Sequence, residues 1–359
     1  MAKTYRHIYE QVCSFENVYR AWRTARRGKR GRSEVALFEY DLESNLIAIC
    51  RELRDGTYAF GQYRSFHIHE PKRRLISAAP FRDRVVHHAM CNVIEPLFER
   101  GFIHDSYANR VGRGTHRALD RTTHFMRRHS YVLQCDVRQF FPSIDHQLLM
   151  ATLARRIGDA DVLRLAEQVL AGGAGVLSAE YEMRWFPGDD LLAAGRPRGL
   201  PIGNLTSQFW ANVYLNGLDH FVKREIKCPA YLRYVDDFLL FADDPDDLHR
   251  WRREVIDHLA GLRLTIHEAR AVPRPVTEGV TFLGFRVFPD HRRLKRSKVV
   301  YWRRFARLQV DCACGRLALH HLTECVRGWV AHARYGDTYG LRRAVLASQP
   351  LPRVPGPVV

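Results

Sequence analysis

Tyr231-Leu-Arg-Tyr-Val-Asp-Asp-Phe-Leu-Leu-Phe241 is the stretch that decides the fold. Two acids, Asp236 and Asp237, sit between two short aromatic and aliphatic runs. Each run has the length and composition of a buried strand, so the acids fall at the turn of a hairpin. Adjacent carboxylates at the tip of an apolar hairpin repel one another, and a bound divalent cation relieves that repulsion. A solvated turn is the plain alternative, because Asp tolerates the left-handed backbone such turns need.

A second acid tips the balance. In Tyr131-Val-Leu-Gln-Cys-Asp-Val-Arg-Gln-Phe-Phe141 an apolar run delivers Asp136 at its end, ahead of the aromatic pair Phe140 and Phe141. The ordinary use of such an Asp is to cap the next helix. If the two segments are neighbours in one sheet, however, Asp136 and Asp236 meet. That arrangement can hold two Mg²⁺ about 3.5–4 Å apart, which suits in-line phosphoryl transfer.

The Tyr-Val-Asp-Asp box resembles the catalytic box of reverse transcriptases, and Asp136 with Phe141 resembles their first catalytic motif. The resemblance implies an α+β fold shaped as a right-hand polymerase, with fingers, a palm whose antiparallel sheet is flanked by helices, and a helical thumb. It implies Asp136, Asp236 and Asp237 as the catalytic acids. Asp136 and Asp236 would bind two Mg²⁺, for which Mn²⁺ can substitute. Val137 is counted with them at the metals, and so is Asp237, whose part is to support the site. Phe141 would block a ribose 2′-hydroxyl and so select deoxynucleotides.

Composition agrees with a polyanionic partner. The chain has 359 residues, 46% of them apolar, so a folded protein of two or three subdomains is expected. Lys and Arg number 56 against 39 Asp and Glu, a net charge of +17 that favours nucleic acid or an acidic membrane surface. No apolar run is long enough to span a bilayer, and Met-Ala-Lys-Thr-Tyr-Arg-His at the start lacks the apolar core of a signal peptide. Nucleic acid and a cytoplasmic location follow as expectations. The eight cysteines read as reduced core residues. Cys312 and Cys314, with His320, His321 and Cys325 downstream, offer a zinc reading. Residues two apart on a helix point to different faces, which counts against it.

Residues 1–45 read as a basic N-terminal extension, 46–130 as fingers, 131–290 as palm with a loop insertion at about 172–198, 291–345 as helical thumb and 346–359 as a Pro-rich tail. The run Arg23 to Arg32 reads as a solvated, mobile face or as an RNA-binding arm. In Glu70 to His88, Pro80 breaks a short strand and a helix starts near Phe81. By resemblance Lys72 and Arg74 grip the incoming triphosphate, a task that suits the planar fork of Arg. The Gly-broken loop Ser106 to His116 carries Arg110 and Arg113, assigned to template and primer. Asp189 and Asp190 read as turn acids, because no apolar strand delivers them.

Arg196-Pro-Arg-Gly-Leu-Pro-Ile-Gly-Asn-Leu-Thr-Ser-Gln208 precedes a helical run from Phe209 to Leu218, with Thr206 or Ser207 as caps. By resemblance Ile202, Gly203 and Gln208 contact the nucleotide, while Asn204 and Tyr234 contact template or primer. Most reverse transcriptases have Gln-Gly, three residues, then Ser-Pro; here Ile202-Gly203 is followed by Ser207-Gln208. That departure is similar to the signature of diversity-generating retroelement enzymes, which copy RNA unfaithfully at adenines. Loss of the Gln removes a polar contact and loosens selection of the correct pair. Arg270 stands where the family usually has Lys near the leaving pyrophosphate, so charge stabilisation replaces proton donation. Phe282, Leu283 and Gly284 resemble the primer-grip hairpin. In the thumb, Arg303 and Arg307 run beside an apolar stripe of Tyr301, Phe305, Leu308 and Cys312, facing the duplex backbone.

The partners implied are template RNA, the RNA/cDNA duplex, deoxynucleoside triphosphates and a small, basic, oligomeric accessory protein. Three rivals stand beside this reading. They are a bacterial defence reverse transcriptase, a group II intron enzyme (disfavoured because no maturase or endonuclease segment is seen after the thumb), and a catalytically silent RNA-binding protein on the same fold.

Overall fold

The runs flanking the acids form strands, and so does the run before Asp136. The computed structural model of the chain describes residues 4–69, 73–295 and 298–347. Lys72 and nearly all of the Pro-rich tail lie outside these. Ala230–Tyr234, Asp237–Ala242, Tyr131–Asp136 and Arg274–Pro275 make one antiparallel sheet in that spatial order. Leu133 pairs with Leu240 and Cys135 with Phe238. These side chains face a layer of helices, chiefly Phe81–Glu99, Leu205–His220 and Pro245–Gly261.

The alternate residues Val132, Leu239 and Phe241 face the helix Thr115–Met126 and a second sheet of Val280–Phe282, Phe285–Val287 and Arg292–Leu294. Covering on both faces explains why these strands read as continuous apolar runs rather than alternating ones. The α+β class therefore holds.

Arg64–Ile68 and Arg74–Ala78 form a separate antiparallel hairpin. Pro80 then precedes the helix Phe81–Glu99, as the sequence predicts. The N-terminal residues depart from expectation. Phe15–Ala25 is an amphipathic helix that buries Val18, Ala21 and Trp22 in the main core, with Asn17 Nδ2 donating to Ala89 O at 2.9 Å. Its basic side chains, Arg20 and Arg23, lie on the exposed face. Residues 15–25 are thus part of the core on one side and basic surface on the other, while Arg27, Arg30 and Arg32 beyond them are exposed.

The helix expected from Phe209 begins at Leu205, and the N-cap position is Asn204 rather than Thr206 or Ser207, which are buried in its first turn. Downstream, Lys298–Ala313, Leu319–Ala333 and Tyr339–Ala347 pack through Tyr301, Phe305, Trp329, Ala333 and Val345. Leu308 joins this cluster half-buried, and Arg303 and Arg307 are exposed beside it. All eight cysteines are free, and Cys13, Cys50, Cys91, Cys135 and Cys228 are buried. Among the described residues no helix is long and apolar enough to cross a membrane.

Candidate active site

The hairpin that carries the acids turns through two residues, Val235 and Asp236, with Tyr234 paired to Asp237. Such a turn demands a positive φ, and Val235 supplies it at 58°. A β-branched residue there is an outlier, and holding it costs on the order of 1–3 kcal/mol. The surroundings enforce it. Arg233 Nη1 donates to Val235 O at 2.9 Å, and Val137 N donates to Asp236 O at 3.0 Å.

Asp136 lies opposite Asp237 in the sheet register. Its carbonyl accepts from His267 N at 3.0 Å, and Arg138 N donates to Thr265 O at 2.7 Å. The segment Leu262 to Arg270 thereby braces the end of the first catalytic strand. Two residues before Asp136, on the same face, Gln134 donates Nε2 to both carboxylate oxygens of Asp237 at 3.0 and 3.2 Å, and to Thr281 O at 3.1 Å.

Burial dominates the electrostatics. It pushes Asp236 up to about 6, helped by the charge of Asp136 and opposed by Arg74. It pushes Asp237 up to about 8, against the Gln134 bonds and with Asp136 and Asp236 adding to the rise. Arg74, exposed at the start of the strand Arg74–Ala78, is thus near enough for its charge to favour ionised Asp236.

Crowded, half-buried carboxylates, two of which resist ionisation, are suited to a dication. Among the described residues no three His, Cys, Asp or Glu side chains already gather as metal ligands. The donors available are oxygens alone, which fits Mg²⁺, an ion that keeps waters and shares substrate phosphates. Asp136, Asp236 and the Val137 carbonyl would hold it. Asp237, gripped by Gln134, would support them.

Around this centre, Phe141 is half-buried and edge-on to Phe140, and its carbonyl accepts from Leu200 N at 2.9 Å. Just before it, Gln139 sits at φ 46° and its amide bonds Glu180 O at 2.8 Å and Glu182 N at 3.1 Å. Arg138 pairs with Glu182. The 172–198 insertion is therefore pinned against the first catalytic motif. Asp189 pairs with Arg196 at 2.7 Å and Asp190 caps Leu191–Gly195, the turn roles expected of them.

Ile202 is half-buried, and its carbonyl accepts from Ser77 N at 2.9 Å. Gly203 adopts φ 118°, where a Cβ would meet Ile76 Cγ2 at 3.0 Å. Gln208 is exposed. Arg270 is exposed and lines a cavity of about 350 Å³ with Gln134, Arg274 and Arg286. Arg113 is half-buried near His104, Tyr234 bonds Thr115 through its hydroxyl at 3.1 Å, and Leu283 and Gly284 form a turn at φ 49° and 87°.

Three residues assigned to template or primer have their side chains committed inside the fold. Asn204 is 2% exposed and bonds Ala79 N, Ser77 O and Pro201 O. Arg110 is bound by Glu99 and by the carbonyls of Ile103 and Ser106. Phe282 is 1% exposed in the second core. Their polar or apolar needs are met by the protein, so any contact with nucleic acid there falls to the backbone. Gln134, Gln139 and Arg233 were not singled out in the sequence. The available signals were a polar side chain in step with Asp136, and a charge inside an apolar strand.

Known proteins resemble the chain across the stretch that contains this centre. The reverse transcriptase (RNA-dependent DNA polymerase) family pattern matches residues 68–287. Protein YkfC of Escherichia coli K12 is 25% identical over 273 residues, covering 64% of this chain and 67% of its own. Group II intron-encoded protein LtrA of Lactococcus lactis subsp. cremoris is 26% identical over 183 residues, covering 50% of this chain. The match spans only 28% of LtrA's own length. Among solved structures, apo telomerase from Candida tropicalis, truncated of its C-terminal domain, aligns at a TM-score of 0.44 and 11% identity, covering 66% of this chain and 55% of its own. The family pattern spans well over half of the sequence and contains all three acids, and the chain belongs to the reverse transcriptase family, with its right-hand fold.

Proposed function

We propose that the chain extends a primer with deoxynucleotides on an RNA template, as the error-prone polymerase of a diversity-generating retroelement. One observation carries the polymerase part: Asp136 and Asp237 face each other across neighbouring strands, with Asp236 beside Asp237 in the turn and its acidity weakened by burial and by the charge of Asp136. Two divalent ions bound there would lower the pKa of the primer 3′-hydroxyl and offset charge on the β- and γ-phosphates. Asp136 and Asp236 hold that position, with the Val137 carbonyl. Asp237 keeps the hairpin registered through Gln134. Arg74, with Lys72 nearby in sequence, takes the triphosphate; Arg270 adds positive charge without giving up a proton. Phe141 stands against the sugar.

Ile202 supports the error-prone part. It sits half-buried against the fingers strand with its carbonyl engaged, and presents no side-chain polar group to read a base. Gly203 and Gln208 complete that contact, and Arg113, Tyr234, Leu283, Gly284, Arg303 and Arg307 follow the template–primer duplex. Structured template RNA and a small basic accessory protein are the partners of this reading. An accurate, intron-type enzyme is the second reading, favoured by the similarity to LtrA.

The test is primer extension on a defined RNA with Mg²⁺ and all four deoxynucleotides, with and without template RNA and accessory protein, followed by sequencing of the cDNA. Errors concentrated opposite template adenines are expected. Evenly accurate cDNA overturns the retroelement assignment in favour of the intron type. Absence of cDNA under every condition overturns the polymerase itself.

A further inference from the structure

Arg233 and Asp219 form an ion pair with both side chains fully buried, at 2.7 Å. A pair so far from water is not there for stability by default, since apolar replacements of such pairs are often neutral or better. Its geometry offers another reason. Arg233 Nε and Nη2 donate to the two carboxylate oxygens of Asp219 at 2.8 and 2.7 Å. Nη1 donates to Asn212 Oδ1 at 3.1 Å and to the carbonyl of Val235 at 2.9 Å. Tyr231 adds its hydroxyl to Asp219 at 2.8 Å. Asp219 and Asn212 both belong to the helix Leu205–His220, which starts beside Ile202 and carries Gln208 in its first turn. The guanidinium thus joins the helix next to the nucleotide contact to the carbonyl just ahead of Asp236.

We propose that Arg233, oriented by Asp219 and Asn212, is a positioning residue whose Nη1 fixes the strained Val235 turn so that the Asp236 carboxylate stays at the cation site. The inference rests on the polymerase reading of that site. Only the planar fork of Arg reaches a carboxylate in pairs while also serving a third acceptor; the compact ammonium of Lys does not.

Two variants test it. Arg233→Met with Asp219→Leu removes both charges and leaves none stranded. Arg233→Lys keeps the charge opposite Asp219 and gives up the hold on Val235. Mn²⁺ binding is titrated by electron paramagnetic resonance, and primer extension gives kcat and the half-activating Mg²⁺ concentration. In both variants we expect Mn²⁺ affinity and kcat to fall by about 10–100-fold, the range for partners that orient metal ligands. The half-activating Mg²⁺ rises and template–primer affinity stays near wild type, while the double variant, which leaves the Tyr231 hydroxyl and Asn212 Oδ1 without their partners, melts at a lower temperature but stays folded. Wild-type Mn²⁺ affinity in a folded variant of either kind overturns the inference and leaves the pair a structural feature. If wild-type protein makes no cDNA on any template, the polymerase reading fails, and the Mn²⁺ titration still decides the role of Arg233.

Discussion

Two hairpins of this chain turn through two residues each, and they meet the demand of the turn in opposite ways. In Val280–Val287, Phe282 pairs with Phe285 across Leu283 and Gly284, whose φ values are 49° and 87°. Exposed Thr281 and Arg286 alternate with buried neighbours, the ordinary pattern for a hairpin lying on a core. In Ala230–Ala242 the turn is Val235-Asp236, with no glycine, and both flanking strands are buried almost throughout. The first hairpin satisfies much of its local geometry with its own residues. The second is forced into shape from outside, by Arg233 and by Val137 of the neighbouring strand. A local rule broken and then enforced by distant partners is the mark of a functional turn.

The contrast can be broken most simply at the acid. Asp236→Ala should reduce primer extension by on the order of 10³-fold or more, as loss of a preorganised charge at the reacting phosphate does. RNA binding, carried by basic surface, should stay near wild type in a filter-binding assay. Synthesis that survives the change would sink the assignment of the site.

Next in size is an effect of pH. Asp236 at about 6 and Asp237 at about 8 have folded pKa values above the unfolded ones. The folded form therefore binds more protons, and the contribution of this pair to stability falls as pH rises from the usual carboxylate range through about 8. Cation binding needs the ionised acids, so Mg²⁺ affinity should rise over the same window and each binding event should release protons. Melting temperature against pH, with and without Mg²⁺, measures both. Curves that stay parallel would refute the coupling.

The smallest effect separates the turns themselves. Val235→Gly relieves a strain of about 1–3 kcal/mol but gives up the packing of a half-buried side chain and adds the entropic cost of Gly, so stability should stay within about 1 kcal/mol of wild type while extension slows. Leu283→Gly loses packing as it loses strain, and its stability should stay within about 1 kcal/mol of wild type. Denaturant midpoints and extension rates on both proteins check the pair. Equal extension rates would mean that the catalytic turn stores nothing special.

Much of the palm could be read from the chain because its signals are local. Apolar runs with acids at their ends announce strands, and Pro80 announces a helix start. What could not be read depends on partners distant in sequence. Arg110 and Asn204 look like solvent-facing loop residues until Glu99 and the carbonyls of Ser77 and Ile103 are brought to them. Val18, Ala21 and Trp22 stand at helical spacing just ahead of the basic run, and sequence alone does not say what covers them. Arg233 gave a clue in hindsight: a charge in the middle of a strand covered on both faces must have a buried partner, and sequence alone does not say that it is Asp219.

The place of Tyr131–Asp136 between Asp237–Ala242 and Arg274–Pro275 has a consequence for biosynthesis. On the ribosome this strand emerges long before either neighbour exists. At about 5–20 residues per second, the roughly hundred residues to its first partner take on the order of 5–20 s. Throughout that interval an apolar segment with open edges waits in a nascent chain, a template for wrong pairings. Slower translation before residue 242, or a shortage of chaperones, should therefore lower the yield of soluble protein before it affects any property of the finished enzyme.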